Sequence, residues 1–251
     1  MKQRYFIEIS YNGKNYHGWQ VQPNVVTVQE VLNDCLTKLL REEIHLVGAG
    51  RTDTGVHAKQ LFAHFDLVKK VEDASQFLNR LNSFLPKDIA AKSLLEVGMD
   101  AHARFDATAR TYEYFVMQQK NPFQENAAYL IHKPINKEAM NQAAKRLFDF
   151  KDFTTFSKLD TQTKTNNCKI MKAYWEEREG LLVFIIQADR FLRNMVRAIV
   201  GTLLEVGLGK MTEEEFVKVI ESKDRSEAGT SVPAHGLYLL KVSYPKEVWN
   251  E

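Results

Sequence analysis

Asp53 lies in the run Gly48-Ala49-Gly50-Arg51-Thr52-Asp53-Thr54-Gly55-Val56-His57-Ala58, between an arginine and a turn glycine. Glycines on both sides let the backbone bend sharply and let a ligand come close. Such a loop can hold one carboxylate in a fixed pose, with Arg51 near enough to keep it charged. A single fixed acid can serve as a nucleophile or as a base. For an Arg-Thr-Asp tripeptide alone, a solvated turn in which Asp caps the backbone is the commoner use. The run is not a phosphate loop: it lacks the further glycine spacing of a dinucleotide fingerprint and any Gly-Lys-Ser/Thr.

Two more segments carry usable chemistry. In His102-Ala103-Arg104-Phe105-Asp106-Ala107-Thr108-Ala109-Arg110-Thr111-Tyr112-Glu113-Tyr114, strand alternation sends Arg110, Tyr112 and Tyr114 to one face. An arginine and two tyrosines there would form a platform for a flat base. On aromatic spacing alone, a strand packed in a core is the commoner use of such a pattern. In Arg190-Phe191-Leu192-Arg193-Asn194-Met195-Val196-Arg197, helical spacing would put the three arginines within an arc of roughly 60°. That stripe would border the apolar residues Phe191, Met195, Ile199 and Leu203 and suits phosphate or carboxylate partners. A solvated helix rim has the same pattern. Residues 154 to 175 add Lys158, Lys164, Lys169 and Lys172 against Asp160, as a phosphate-contacting or an ordinary solvated loop.

The elements that must position these groups follow from periodicity. Strands are expected at 5–11, 44–47, 61–67 and 89–97, and helices from the Thr27/Glu30 capping box and over 73–85, closed by Pro86. The order is β-α-β-β-α-β, a ferredoxin-like pattern. The second half repeats it: strands at 111–117, 169–176, 181–188 and 237–242, helices at 137–148 and 191–206, and a short helix begun by Thr212 with Glu215. The expected fold is therefore α/β (α+β), two ferredoxin-like units with mainly antiparallel sheets. The expected division is 1–103, carrying the Asp53 loop, and 104–251, carrying the aromatic strand and basic helix.

Composition sets outer bounds. The 251 residues are 44% hydrophobic and 26% charged, as in an ordinary globular protein. With 34 basic against 32 acidic residues the net charge is only +2, so an RNA surface would need local clustering. No apolar run of ~18 residues predicts a membrane span. A strand that begins almost at Met1 leaves no room for a signal peptide, and two isolated cysteines, Cys35 and Cys168, point to a reduced, cytoplasmic setting. His57 and His64 lack metal-ligand spacing, so no metal and no cofactor are expected.

The Asp53 run resembles the active-site signature of the tRNA pseudouridine synthase A family, which usually reads GRTDAGVHA; here Thr54 replaces the usual alanine. The resemblance extends to Tyr11-Asn12-Gly13, Tyr16 to Gln20, Thr27-Val28-Gln29, the His102 to Tyr114 segment, the Met195-Val196-Arg197 run and Ala234-His235-Gly236-Leu237-Tyr238-Leu239. It implies a synthase that isomerises uridine to pseudouridine in the tRNA anticodon stem-loop, at tRNA positions 38, 39 and 40, without metal or cofactor. It further implies Asp53 as the essential carboxylate, Tyr112 stacked on the target uracil and Arg197 paired with the aspartate. Leu237 would line the uracil pocket, and Arg51 would hold the extruded nucleotide or fill its vacated place. Family members act as homodimers with tRNA lying across both subunits. Two other readings compete: a non-catalytic RNA-binding protein, which would show RNP-type strand motifs, and a metal-dependent phosphohydrolase, which would need several carboxylates near Asp53.

Overall fold

The computed structural model describes residues 2–158 and 165–249; Asp160 and Lys164 of the basic segment lie outside them. Contacts divide the chain into two compact units, Met1–Thr108 with Leu239–Glu251, and Ala109–Tyr238. The division thus falls after Thr108, where the sequence reading joins the units at 103/104, and the C-terminal stretch groups with the first unit.

The first unit runs β1 (Gln3–Tyr11), α1 (Val28–Leu40), β2 (Val47–Gly48), β3 (His57–Leu67), α2 (Ala74–Phe84) and β4 (Ile89–Val97). β1 pairs antiparallel with β3 and β4, and β2 pairs antiparallel with β3. This is the ferredoxin-like order read from the sequence. The later residues of β9 (Leu237–Ser243) run beside β3, where Val242 N donates to Gln60 Oε1 at 3.1 Å. Helix starts are set by side chains that accept otherwise unpaired N–H groups: Thr27 from Glu30 N at 3.4 Å and Asp73 from Gln76 N at 2.9 Å. The strand expected at 44–47 shrinks to Val47–Gly48. Upstream, Ile44 N and Leu46 N donate to the side chains of Thr37 and Asn33, so those residues bury their apolar groups without a ladder. The core joins Phe6, Ile7, Ile9, Leu32, Leu36, Leu61 and Phe65, all fully or almost fully buried.

The second unit runs β5 (Ala109–Met117), β6 (Tyr129–Leu130), α3 (Lys137–Arg146), β7 (Ile170–Arg178), β8 (Leu181–Ala188), α4 (Met195–Gly207) and α5 (Glu213–Ser222), and ends with the first residues of β9. β8 pairs antiparallel with β5 and β7, while β6 lies parallel to β5. β8 is buried without interruption from Leu181 to Ile186, as a central strand covered on both faces must be. α5 opens with a complete capping box, Glu215 N to Thr212 Oγ1 at 3.2 Å and Thr212 N to Glu215 Oε2 at 2.8 Å.

The helix expected from Phe191 starts four residues later, at Met195. Asp189 Oδ1 takes the N–H of Arg190, Arg193 O accepts from Lys158 N, and Asn194 turns into the left-handed region at φ 66°. Arg190 and Arg193 therefore precede the helix, and the three-arginine stripe does not form. Only Arg197 stands on α4. None of the five α-helices among the described residues is long and apolar enough to cross a membrane.

Candidate active site

Asp53 is carried on a loop whose flanks are pinned by the strands of its own unit. β2 leads in with Val47 opposite His64 and Gly48 opposite Ala63, and Ala49 N donates to Phe62 O at 2.7 Å. Thr52 is buried, its Oγ1 2.7 Å from the hydroxyl of Tyr11 at the end of β1. Its carbonyl accepts from Trp19 N at 3.2 Å. Asp53 O then accepts from Val56 N at 3.1 Å, which closes the turn, and Gly55 N donates to Tyr16 O at 3.3 Å. His57, at the start of β3, accepts from Gly13 N through Nδ1 at 3.0 Å. Thr52 before the acid and Gly55 beyond it are thus held by the segment 11–19, while Asp53 itself is half-buried and Arg51 and Thr54 are exposed.

The supporting segment is itself anchored. Tyr16 Oη donates to Asp88 Oδ1 at 2.6 Å and Asn15 Nδ2 to Asp88 Oδ2 at 3.1 Å. Burial, followed by that hydrogen bond, pushes the Tyr16 hydroxyl well above its usual range, so it stays a neutral donor. Gly18 is required for geometry: its φ is +84°, and a Cβ there would stand 2.4 Å from Thr52 O. Gly50 differs, having open space around the position of a Cβ and no left-handed φ. Among the described residues Arg51 makes no ion pair or hydrogen bond, and it is exposed.

In the second unit, Tyr112 is half-buried on β5 and meets Phe191 edge-on, ring centroids 5.3 Å apart. Arg110 Nη1 donates to Asp189 O at 2.8 Å. Tyr114, expected as part of the same stacking platform, is fully buried and donates through its hydroxyl to Pro233 O at 2.9 Å. The platform therefore reduces to Arg110 and Tyr112. Arg197, in the first turn of α4, donates Nε to Val232 O at 2.7 Å, and Val232 N returns to Arg197 O at 3.2 Å. One short segment, Val232-Pro233, thus ties Arg197 to Tyr114. It continues through Gly236, where a Cβ would lie 2.7 Å from the Tyr114 ring, into the buried Leu237 at the head of β9. Burial drives the Tyr114 hydroxyl far up, and Arg197 opposes that only in part.

These are two built clusters, each on its own unit. The sequence model of the tRNA pseudouridine synthase family matches residues 8–106 and 143–245, which include Asp53, Arg51, Arg197 and Leu237. The chain belongs to the tRNA pseudouridine synthase family. It is 54% identical to tRNA pseudouridine synthase A of Parabacteroides distasonis over 98% of each chain. It is 53% identical to the synthase of the same name from Bacteroides fragilis, again over 98% of each, and to that of Bacteroides thetaiotaomicron over 99% of this chain and 93% of the relative. As a pseudouridine synthase it is an isomerase.

Within this pseudouridine synthase, sequence reasoning names the groups that could act but misses those that hold them. Tyr11, Gly13, Tyr16 and Trp19 meet the Asp53 run across sequence separations as large as 41 and 44 residues. The polar aromatic stretch 12–20 directly after β1 is the one visible signal of that role. In the second unit the missed groups are Phe191 and the Val232-Pro233 carbonyls, for which no side-chain pattern exists to read.

Proposed function

We propose that the protein converts uridine to pseudouridine in the anticodon stem-loop of tRNA, at tRNA positions 38, 39 and 40, with Asp53 as the one essential carboxylate. The observation that carries this reading is the loop itself: a half-buried acid whose preceding residue is clamped to Tyr11 and whose following turn is clamped to Tyr16. The relatives' shared name, tRNA pseudouridine synthase A, supports the substrate class.

The reaction breaks the N1–C1′ bond, turns the uracil and forms a C5–C1′ bond; C5 loses its proton and N1 gains one. Asp53 serves it either as nucleophile or as base on the ribose. The uridine must leave its stack, which costs a few kcal/mol. Stacking on Tyr112 offsets ~1–3 kcal/mol of this. Arg51, exposed and unengaged among the described residues, holds the extruded nucleotide or fills its place. Arg197 orients Asp53 and holds it charged, and Leu237 keeps water from the detached uracil. The same reading includes a homodimer in the cytoplasm.

The test uses unmodified tRNA transcript tritiated at uridine C5, with purified protein and no added metal or cofactor. Tritium release by the wild type and none by Asp53→Ala, with tRNA binding kept, is the expected result. Normal release by Asp53→Ala overturns the assignment of the acid; no release by the wild type from any tRNA overturns the reaction.

A further inference from the structure

Three stretches of the second unit that are separate in sequence are knitted by backbone hydrogen bonds into one surface. Asp152 and Asn167 form an isolated bridge, and Phe153 N donates to Asn166 O at 3.1 Å. Cys168 N donates to Lys151 O at 2.8 Å, Asp189 N to Lys169 O at 3.2 Å, and Lys158 N to Arg193 O at 3.0 Å. Residues 151–158, 165–170 and 187–193 are therefore neighbours, and each brings cations. Lys151, Lys158, Lys169 and Arg193 are exposed, and Arg190 is half-buried.

Among the described residues of these stretches the acids are Asp152 and Asp189, and both are engaged with other partners. Asp189 Oδ1 accepts from the backbone N–H groups of Lys169 and Arg190, both at 2.7 Å, so it holds the turn and leaves the cationic side chains unpaired by it. Asp152 accepts from Thr154 N at 3.0 Å and Thr154 Oγ1 at 2.6 Å and pairs with Lys223 at 3.0 Å. Among the described residues no ion pair involves Lys151, Lys158, Lys169, Arg190 or Arg193. The protein as a whole has nearly balanced charge, so five neighbouring cations with no ion pair among the described residues stand out as a local concentration. Their backbone is fixed by the hydrogen bonds above, which lowers the ordering cost of binding a polyanion.

We infer that Lys151, Lys158, Lys169, Arg190 and Arg193 form a docking surface for consecutive phosphates of an RNA backbone. The surface sets how tightly the RNA is held and in what position, and makes no contact with the reacting base. This rests on the reading that the substrate is RNA. Contacts of this kind release counterions, so each adds to the salt dependence of binding.

The test measures binding of unmodified tRNA transcript to the full-length protein by fluorescence anisotropy across a salt series, with tritium release in parallel. Lys158→Ala/Arg193→Ala should weaken binding about tenfold near physiological salt and lower the slope of log K against log salt by about two. KM should rise with kcat kept, and Lys158→Arg/Arg193→Lys should restore both. Lys120→Ala/Lys133→Ala, the same charge change at exposed sites elsewhere in the unit, should leave the slope near wild type. The slope is read on folded, RNA-binding protein, so partial unfolding does not imitate the effect. An unchanged slope in the Lys158/Arg193 variant, or an equal fall in the control, overturns the surface while leaving the enzyme reading intact. A wild type that neither binds nor isomerises tRNA overturns both.

Discussion

The Asp53 loop and the Tyr112–Arg197 cluster are built by opposite means. In the first unit, the acid lies on irregular backbone, and its position depends on discrete hydrogen bonds from the segment 11–19. In the second unit, Tyr112 and Arg197 stand on a strand and a helix whose places are set by core packing; α4 alone buries eleven of its residues. A loop held by a few polar contacts can be altered locally, whereas a side chain on a core element cannot be changed without asking the core to adjust. Changing the acid itself should therefore leave stability alone, whereas changing a side chain on a core element should move function and stability together.

The widest break in that comparison is Asp53→Asn, nearly isosteric and unable to act as an anion. Turnover should fall on the order of 10³-fold or more with the thermal midpoint unchanged, as read by tritium release beside a melting curve. Tyr112→Ala comes next. Loss of ~1–3 kcal/mol of stacking predicts a fall of roughly 5- to 150-fold in kcat/KM, with a lower midpoint because the Phe191 contact goes too. Tyr112→Phe, which keeps the ring, should recover most of both, and a Phe variant as poor as Ala would remove stacking from the account.

A pH experiment sharpens the contrast within the first unit. His64 is buried on β3, accepts from Ala103 N through Nδ1 and faces Arg4, Asp66, His102 and Asp106. Burial, with Arg4 and His102 adding to it, lowers its pKa to about 4. The folded state thus binds fewer protons than the unfolded chain between about pH 6.5 and about pH 4. Stability is full above that window and declines as pH falls through it, by about 2 kcal/mol at pH 5. Urea midpoints at pH 7.5 and 5 should show this loss in the wild type and much less of it in His64→Gln. Equal losses would move the effect to other groups.

The smallest effect expected is for Tyr11→Phe, which removes only the hydroxyl that meets Thr52. Stability should fall by about 1 kcal/mol and kcat several-fold at unchanged KM. A change in KM alone would place Tyr11 on the substrate instead of behind the loop.

How much of this was legible in the chain depends on whether the cause is local. Apolar runs following the turn residues Pro86 and Gly180 give β4 and β8 their observed bounds, and Thr27, Asp73 and Thr212 mark helix starts because a cap lies next to what it caps. The start of α4 misleads: Arg190, Arg193 and Arg197 have helical spacing, yet a carboxylate at Asp189 and a bond from Lys158 hold the first two outside the helix. Tyr114 misleads in another way, since period two assigns it a face but cannot say that Pro233 covers that face. The family resemblance supplied Asp53, Arg197 and Leu237 as candidates. The groups that fix them act across tens of residues or through backbone carbonyls, and neither leaves a pattern in a linear string.

Gly50 carries a consequence for how this protein would respond to selection. Neither its backbone angle nor its surroundings demand glycine, so alanine there would narrow the unfolded ensemble and stabilise the fold by about 0.4–1 kcal/mol. The added methyl would project into open volume one residue from Arg51, on the approach to the acid. A screen for heat resistance would keep that variant, and a screen for turnover on a bulky RNA would discard it.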